Sequence, residues 1–210
     1  NSRIKNTKIN YDGELSINPF DLNLNINLNN YELYKILNIN SILNELIKTE
    51  LLFNDNISIS TSIIATLNPK EKIFKKAKIN FNISNGKINF DKTKLINKEI
   101  GSLKLENSNL YFKNALLILN TDIVIDINNN DKLFSLLQTN KQFRKPIKNI
   151  LINLNYDFLS NQIEFNNFKI DHKEVSDELL RIVEGFNDNN SNNWNKSKSL
   201  LNTLFKVYEG

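Results

Sequence analysis

The chain has 210 residues, with 27 Lys and Arg against 23 Asp and Glu, one His and no Cys. This length fits one large domain or two small ones, and the lack of Cys excludes disulfides, thiolate metal sites and Cys nucleophiles. The small excess of positive charge comes almost entirely from Lys, whereas proteins that read nucleic acids favour the bidentate contacts of Arg, so the composition argues against a nucleic-acid partner.

The first part of the chain alternates apolar and polar residues, which is typical of half-buried strands. A turn is predicted at 11–13, and residues 22–29 read Leu-Asn-Leu-Asn-Ile-Asn-Leu-Asn. Successive side chains of a strand point to opposite faces, so the Asn residues share a polar face and the others share an apolar one, namely Leu22, Leu24, Ile26 and Leu28. A sheet with one apolar face has to bury that face against something.

Residues 31–52 change to a spacing of three and four. Their apolar side chains fall on one face of a helix, at Leu33, Ile36, Leu37, Leu43, Leu46 and Ile47. We therefore predict an amphipathic helix, or two short ones, over 31–52 that caps an open end of the sheet.

Alternation resumes at residue 57 and continues to residue 127. Ile79, Phe81 and Ile83 alternate with polar residues and lead into Asn85-Gly86, which is the strongest short signal for a β-hairpin. A long strand over 116–127 places Ile123, Ile125 and Ile127 on one face, together with Thr121, and Asp122, Val124 and Asp126 on the other.

The last part of the chain mixes both patterns. A helix is predicted over 131–139, with Asn130 or Asp131 as its N-cap, and long strands follow over 147–158 and 162–170. A helix over 175–186, a flexible Asn-rich linker near 187–195 and an amphipathic helix over 196–208 complete the chain.

These elements predict a mainly β fold with short helices. The strands do not alternate one to one with helices, so we expect a large antiparallel meander rather than a doubly wound parallel sheet. The expected domains are a β domain over 1–172, with embedded helices near 31–52 and 131–139, and a C-terminal helical segment over 173–210.

The sequence contains no catalytic constellation. His172 is the single His and lies in a predicted surface loop, and Asp122 and Asp126 are ~13 Å apart along one strand, too far to share a proton. None of the five Gly residues belongs to a phosphate-binding loop. We predict a protein that is not an enzyme and that holds neither a cofactor nor a metal.

The order of several segments resembles the C-terminal region of AsmA-like proteins, the AsmA/TamB type of repeating β-groove protein, in the form found in alphaproteobacteria. These segments are Gly-Glu-Leu-Ser-Ile-Asn-Pro-Phe at 13–20, the helix at 41–47, Ile-Ser-Asn-Gly-Lys-Ile-Asn-Phe-Asp at 83–91, Lys-Leu-Phe-Ser-Leu-Leu-Gln at 132–138 and the last seven residues at 204–210. The chain contains no Met, and we expect it to be a piece of a longer protein.

The resemblance implies that the meander over 1–172 curls into an open, taco-like β-groove. It also implies a periplasmic protein, anchored to the inner membrane by a segment upstream of this one. It further implies that phospholipid acyl chains lie in the groove and pass toward the outer membrane, in outer-membrane biogenesis or lipid homeostasis. The expected partners are these acyl chains and a membrane surface, contacted through the anchor or the C-terminal helix, with no nucleic acid. The residues expected to face lipid are Leu22, Leu24, Ile26, Leu28, Ile79, Phe81, Ile83, Ile123, Ile125 and Ile127.

The alternative is a self-packed sheet that works as an interaction or assembly module. Such a module would dock a protein partner through an edge strand or through the C-terminal helix. The two hypotheses differ in what covers the apolar face, which is lipid in the first and the protein itself in the second.

Overall fold

The described chain forms one open sheet of twelve strands, with three short α-helices, in this computed structural model. The structure describes residues 2–4, 7–32, 51–71, 73–113, 116–158, 160, 162–184 and 194–208. The strands are β1 Ser2–Ile4, β2 Thr7–Ile17, β3 Phe20–Tyr31, β4 Ile57–Leu67, β5 Lys76–Ser84, β6 Lys87–Asn89, β7 Lys94–Asn97, β8 Gly101–Lys113, β9 Leu116–Ile127, β10 Asn149–Asp157, β11 Gln162–Ile170 and β12 Lys173–Glu174. The helices are α1 Asn130–Leu137, α2 Asp177–Glu184 and α3 Trp194–Val207.

The order of strands in the sheet follows the chain, with β7 beside β5 and β8. The predicted class, mainly β with short helices and an open meander, is confirmed. One step departs from the antiparallel meander, because β3 and β4 pair in parallel from Phe20–Ile57 to Tyr31–Leu67. A parallel step needs a connection that returns along the length of the strands, and this connection passes through 33–50, outside the described residues.

The predicted turn at 11–13 is wrong, because these residues lie within β2 and pair with β3 from Ile26 back to Leu24. Gly13 allows a close approach of the two strands. A Cβ at this position would lie 2.3 Å from the backbone oxygen of Asn23.

The helix predicted over 31–52 can be compared with the structure only at its two ends. Tyr31 belongs to β3 and Leu51–Phe53 form a 3-10 helix, so both ends of the predicted range are corrected, and most of the rest lies outside the described residues.

The helix predicted over 131–139 spans Asn130–Leu137, and its N-cap is Asn129, not Asn130 or Asp131. The Asn129 side chain accepts a hydrogen bond from the backbone N–H of Lys132 at 3.0 Å. The helix ends earlier than predicted because Gln138 adopts a left-handed conformation, with φ 55°, which is a common way to end a helix.

The C-terminal helices pack against the sheet. α2 begins at Asp177, two residues later than predicted, and 185–193 lie outside the described residues. α3 begins at Trp194, so the end of the predicted linker near 187–195 is helical. Leu179 of α2 and Phe205 of α3 share one hydrophobic cluster with Phe168 and Ile170 of β11. The segment after residue 172 also contains β12, which pairs with β11.

Two tight turns support the register of the sheet. Asn85 and Gly86 have φ values of 50° and 66° between β5 and β6, as a type I′ hairpin turn requires, and the predicted hairpin is confirmed. Asp171 and His172 have φ values of 49° and 67° between β11 and β12, so the second hairpin uses the same geometry.

Candidate functional site

The apolar side chains of the sheet form rows that run across it, because residues opposite each other on paired strands share a face. One row crosses nine strands at one end of the sheet, and each of its members is apolar. In order from β2 to β11 it consists of Ile9, Leu28, Ala65, Ala77, Leu95, Leu103, Ile125, Ile150 and Ile170.

A second row crosses the sheet near the other end of the strands. It runs through β6 instead of β7 and is also free of charged residues. Its members are Leu15, Leu22, Ile59, Ile83, Ile88, Leu110, Leu119, Tyr156 and Ile163. The alternation read from single strands therefore belongs to one continuous apolar face, which we call the apolar face.

The ten residues expected to face lipid all lie on the apolar face, but they differ in burial. Leu28, Ile83 and Ile127 are buried within the packed clusters. The other seven are partly buried, namely Leu22, Leu24, Ile26, Ile79, Phe81, Ile123 and Ile125. Five of these seven lie in the band between the two rows, namely Leu24, Ile26, Ile79, Phe81 and Ile123. The band is therefore partly exposed on β3, β5 and β9, whereas Leu154 and Phe168 on β10 and β11 are buried.

Both ends of this band are covered by short elements. Leu52 and Phe53 of the 3-10 helix pack over the second row at Ile83 and Ile88, and the ring centroid of Phe53 lies 5.0 Å from that of Phe112. At the first row, Leu137 of α1 and Phe205 of α3 pack against Ile127. α1, the helix predicted over 131–139, therefore covers this end together with α3, whereas the helix predicted to cap the sheet over 31–52 lies mostly outside the described residues.

A cavity of about 230 Å³ lies between the first row and the helices that cover it. Leu103, Ile125 and Ile150 form its floor, and Leu133 of α1 and Phe205 of α3 contribute to its other walls. An apolar cavity of about 150 Å³ is large enough to bind benzene. The space between sheet and helices is therefore large enough for a short apolar group.

The apolar face remains uncovered along β2 and at the start of β3. Tyr11, Leu15 and Ile17 expose 61%, 60% and 80% of their surface, and Phe20 opposite Ile17 exposes 37%. Isolated exposed apolar residues are ordinary, but a contiguous patch marks a contact surface. We call these four residues the β2 patch.

The opposite face of the sheet is polar and is joined by side-chain hydrogen bonds. The Asn153 amide donates to Asp122 Oδ1 at 2.6 Å, and the Asn166 amide donates to Asn153 Oδ1 at 2.9 Å. Asn120 donates to Asn155 Oδ1 at 2.8 Å in the same way. Water or polar groups therefore suit this face, whereas apolar groups suit the other.

One ion pair on the polar face shifts the pKa values of both partners. Lys104 Nζ lies 2.5 Å from Asp126 Oδ2. The hydrogen bond from Lys104 is the main reason that the pKa of Asp126 lies below its ordinary value of 3.8, and partial burial opposes this shift. The same hydrogen bond raises the pKa of Lys104 above 10.5.

The polar residues considered for catalysis are not brought together. His172 is exposed in the turn before β12. Asp122 accepts hydrogen bonds from Asn107 and Asn153, while Asp126 pairs with Lys104. Within the described ranges, no group of three or more acidic or His side chains is placed to hold a metal ion. No helix among the described residues is both long and apolar enough to cross a membrane.

Most members of the two rows were not among the ten predicted residues. Leu103, Ile150 and Ile170 carry the same alternation in their own strands, so that signal was available for them. Ala65 and Ala77 carry little hydrophobic signal, and only the strand register places them in the first row.

No protein-family model, curated protein or solved structure matches this chain. The resemblance to AsmA-like proteins therefore stays a prediction.

Proposed function

We propose that this chain binds phospholipid acyl chains along the apolar face and works in lipid transfer without catalysis. The observation that carries the proposal is the pair of apolar rows, each crossing nine strands, with partly exposed apolar side chains between them on β3, β5 and β9. Covering apolar surface is worth about 25 cal/mol per Å². An acyl chain lying along the band supplies that cover and demands no hydrogen bonds from the sheet.

The cavity beneath α1 and α3 supports the same proposal. It adjoins Ile125, one of the partly buried residues expected to face lipid. A periplasmic location, an inner-membrane anchor and a role in outer-membrane biogenesis belong to the proposal only through the resemblance to AsmA-like proteins.

The test uses a photo-crosslinking amino acid at position 24 and a matched control at position 23. Leu24 lies on the apolar face and Asn23 on the polar face of the same strand. After incubation with phosphatidylethanolamine vesicles, we expect a lipid adduct from position 24 and none from position 23. Native mass spectrometry of the purified protein should also detect co-purifying lipid, and a failure of both experiments would reject the proposal.

Three charged variants separate an open face from a closed core. Leu24→Asp should keep the fold and lose lipid, because Leu24 is only partly buried. Ile83→Asp should unfold the protein, because Ile83 is 1% exposed and an unpaired buried charge is costly. Asn27→Asp, at an exposed position of the polar face opposite Asn10, should change neither property. If Leu24→Asp unfolds the protein as Ile83→Asp does, Leu24 belongs to a closed core and the lipid proposal fails.

The second candidate function is that of an interaction module. The observation that favours it is the exposed β2 patch. Leu204 and Phe205 are buried against the sheet, so this side of α3 is not available to a partner. We therefore place the docking of a protein partner at the edge strand.

A further inference from the structure

The outer edge of β2 has no strand partner along most of its length within the described residues. β1 pairs with β2 only from Thr7 to Ile9, whereas β3 pairs with β2 as far as Ile17. Among the residues that the structure describes, the backbone of β2 from Asn10 to Ile17 therefore has no strand partner on the side away from β3. Unpaired N–H and C=O groups on an edge strand are a template for a further strand.

The β2 patch lies at this same edge. Three of its residues, Tyr11, Leu15 and Ile17, alternate along β2 on the apolar face and are mostly exposed. The opposite edge of the sheet differs, because Ile163 and Phe165 of β11 are partly buried. Only the β2 edge thus combines free backbone groups with a mostly exposed apolar surface, among the residues that the structure describes.

The charges of β2 indicate which kind of strand could pair with its outer edge. Asp12 and Glu14 point to the polar face between the residues of the β2 patch, and both are exposed. Opposite charges directly across a pair of strands are stabilising, and like charges are destabilising. A partner strand should therefore place Lys or Arg opposite these two acids.

A second copy of this chain fits poorly for the same reason. Two copies would pair β2 with β2 in antiparallel fashion around a two-fold axis. The two longest registers place Gly13 opposite Gly13 or Glu14 opposite Glu14. The first of these sets Asp12 against Glu14 twice, and the second sets Glu14 against itself.

Gly13 adds a further preference. It lies between the two acids on the apolar face, opposite Leu24, and it leaves a gap in the row of side chains. An aromatic residue across from an edge glycine fills such a gap.

We propose that the outer edge of β2, from Asn10 to Ile17, binds an extended peptide segment by strand addition. The segment alternates aliphatic residues with Lys or Arg and carries an aromatic residue opposite Gly13. Main-chain hydrogen bonds supply affinity and the alternating side chains supply specificity, as in other cases of strand addition. This proposal does not depend on lipid binding.

The test measures the binding of a labelled synthetic peptide, Ile-Lys-Val-Lys-Phe-Lys-Val-Lys, by fluorescence anisotropy. Two control peptides are used, one with Glu in place of each Lys and one with alternate backbone nitrogens methylated on the edge that would face β2. We expect the first peptide to bind at least about tenfold more tightly than either control. Hydrogen exchange should slow at the backbone amides of 10–17 when the peptide binds.

Two protein variants with equal charge changes complete the test. The double variant Asp12→Lys, Glu14→Lys should bind the Glu peptide more tightly than the Lys peptide, which reverses the preference of the unmodified protein. Glu99→Lys with Glu106→Lys, which alters two exposed acids away from this edge, should leave binding within about twofold of the unmodified protein.

Several outcomes would overturn the proposal. Equal binding of the methylated and unmethylated peptides would mean that main-chain pairing plays no part. Equal loss of binding in both variant pairs would mean general charge attraction. Concentration-dependent dimers in which the backbone amides of 10–17 are protected without peptide would assign the edge to a second copy instead.

Discussion

The Asn residues between the apolar positions form contacts that the alternation alone does not reveal. Asn153 bonds to side chains on both of its neighbouring strands, Asp122 on β9 and Asn166 on β11. Asn25 donates to Asp12 across the β2–β3 pair at 3.2 Å. A typical hydrogen bond contributes about 1 kcal/mol net, and these bonds also link the strands in a defined register.

The Lys104–Asp126 pair leads to a prediction about acid stability. The folded-state pKa of Asp126 is lowered, so its contribution to the free energy of unfolding is complete above 3.8 and is lost as the pH falls from that value through the lowered pKa. Asp126→Asn should remove this part of the acid sensitivity. Urea unfolding from about pH 5 to about pH 2 should therefore show a shallower loss of stability in the variant than in the unmodified protein.

Glu14→Gln is the control for this experiment. It removes a carboxylate from an exposed position of β2 and should leave the slope of stability against pH close to that of the unmodified protein. If Asp126→Asn and Glu14→Gln have the same slope, the pair with Lys104 does not stabilise the fold.

Single residues also mark the limit of what sequence patterns predict. The hairpin at Asn85-Gly86 was predictable because both residues tolerate positive φ. The continuous strand through Gly13 could not be predicted, because Asp-Gly is also a turn signal. Only the pairing with β3 decides between a turn and a strand at this position. The N-cap shifted to Asn129 for a similar reason, since three neighbouring residues have side chains able to cap.

At the scale of elements, the helices show how the chain covers one end of its own apolar face. Asn202 of α3 donates to the backbone oxygen of Leu137 at 2.9 Å and accepts from Thr139 Oγ1 at 2.7 Å. This pair of bonds holds α3 at the C-terminal end of α1, where carbonyl groups lack partners within the helix. The amphipathic spacing predicted both helices, but their mutual contact depends on residues distant in sequence.

Phe205 is the residue of α3 on which we expect this packing to depend most. Its ring lies 5.4 Å from that of Phe134, edge to face, and it is buried in the cluster that includes Ile127 and Phe168. Phe205→Ala should lower the free energy of unfolding by about 3–5 kcal/mol in urea titrations followed by circular dichroism.

The matched control is Phe20→Ala, which removes the same ring from the exposed β2 patch. Its cost should be clearly smaller, because Phe20 keeps 37% of its surface exposed whereas Phe205 keeps 6%. A similar cost for both variants would contradict the burial of Phe205. An early transition that Phe205→Ala shifts and Phe20→Ala does not would mean that the helices after residue 172 unfold as their own unit.

At the scale of the whole molecule, the sequence predicted the apolar face better than the arrangement of the strands that form it. The alternation of apolar and polar residues indicates the apolar side of each strand, and all ten predicted residues lie on the apolar face. The rows depend on register, which bulges such as the one between Glu106 and Asn109 shift. The parallel step from β3 to β4 was also unpredictable, because neither strand differs in pattern from its antiparallel neighbours.

We expect that parallel step to divide the sheet into two cooperative folding units of unequal stability. Among the described residues, β1 to β3 form a local antiparallel ribbon that joins the other strands only through the β3–β4 ladder. Among their described side chains, Leu28 is the single buried hydrophobic one. The ribbon should therefore open by sub-global unfolding while β8 and β9 stay paired.

Native-state hydrogen exchange in low denaturant measures this difference. Amides in the β2–β3 ladder should exchange with a lower opening free energy than amides in the β8–β9 ladder, which lies in the interior of the sheet. Identical opening free energies in the two ladders would mean that β1–β3 and the other strands of the sheet unfold as one cooperative unit. If the β2–β3 ladder opens more easily, as we expect, then β2, whose outer edge is the proposed peptide site, can also detach from the sheet and re-form while the remaining fold stays intact.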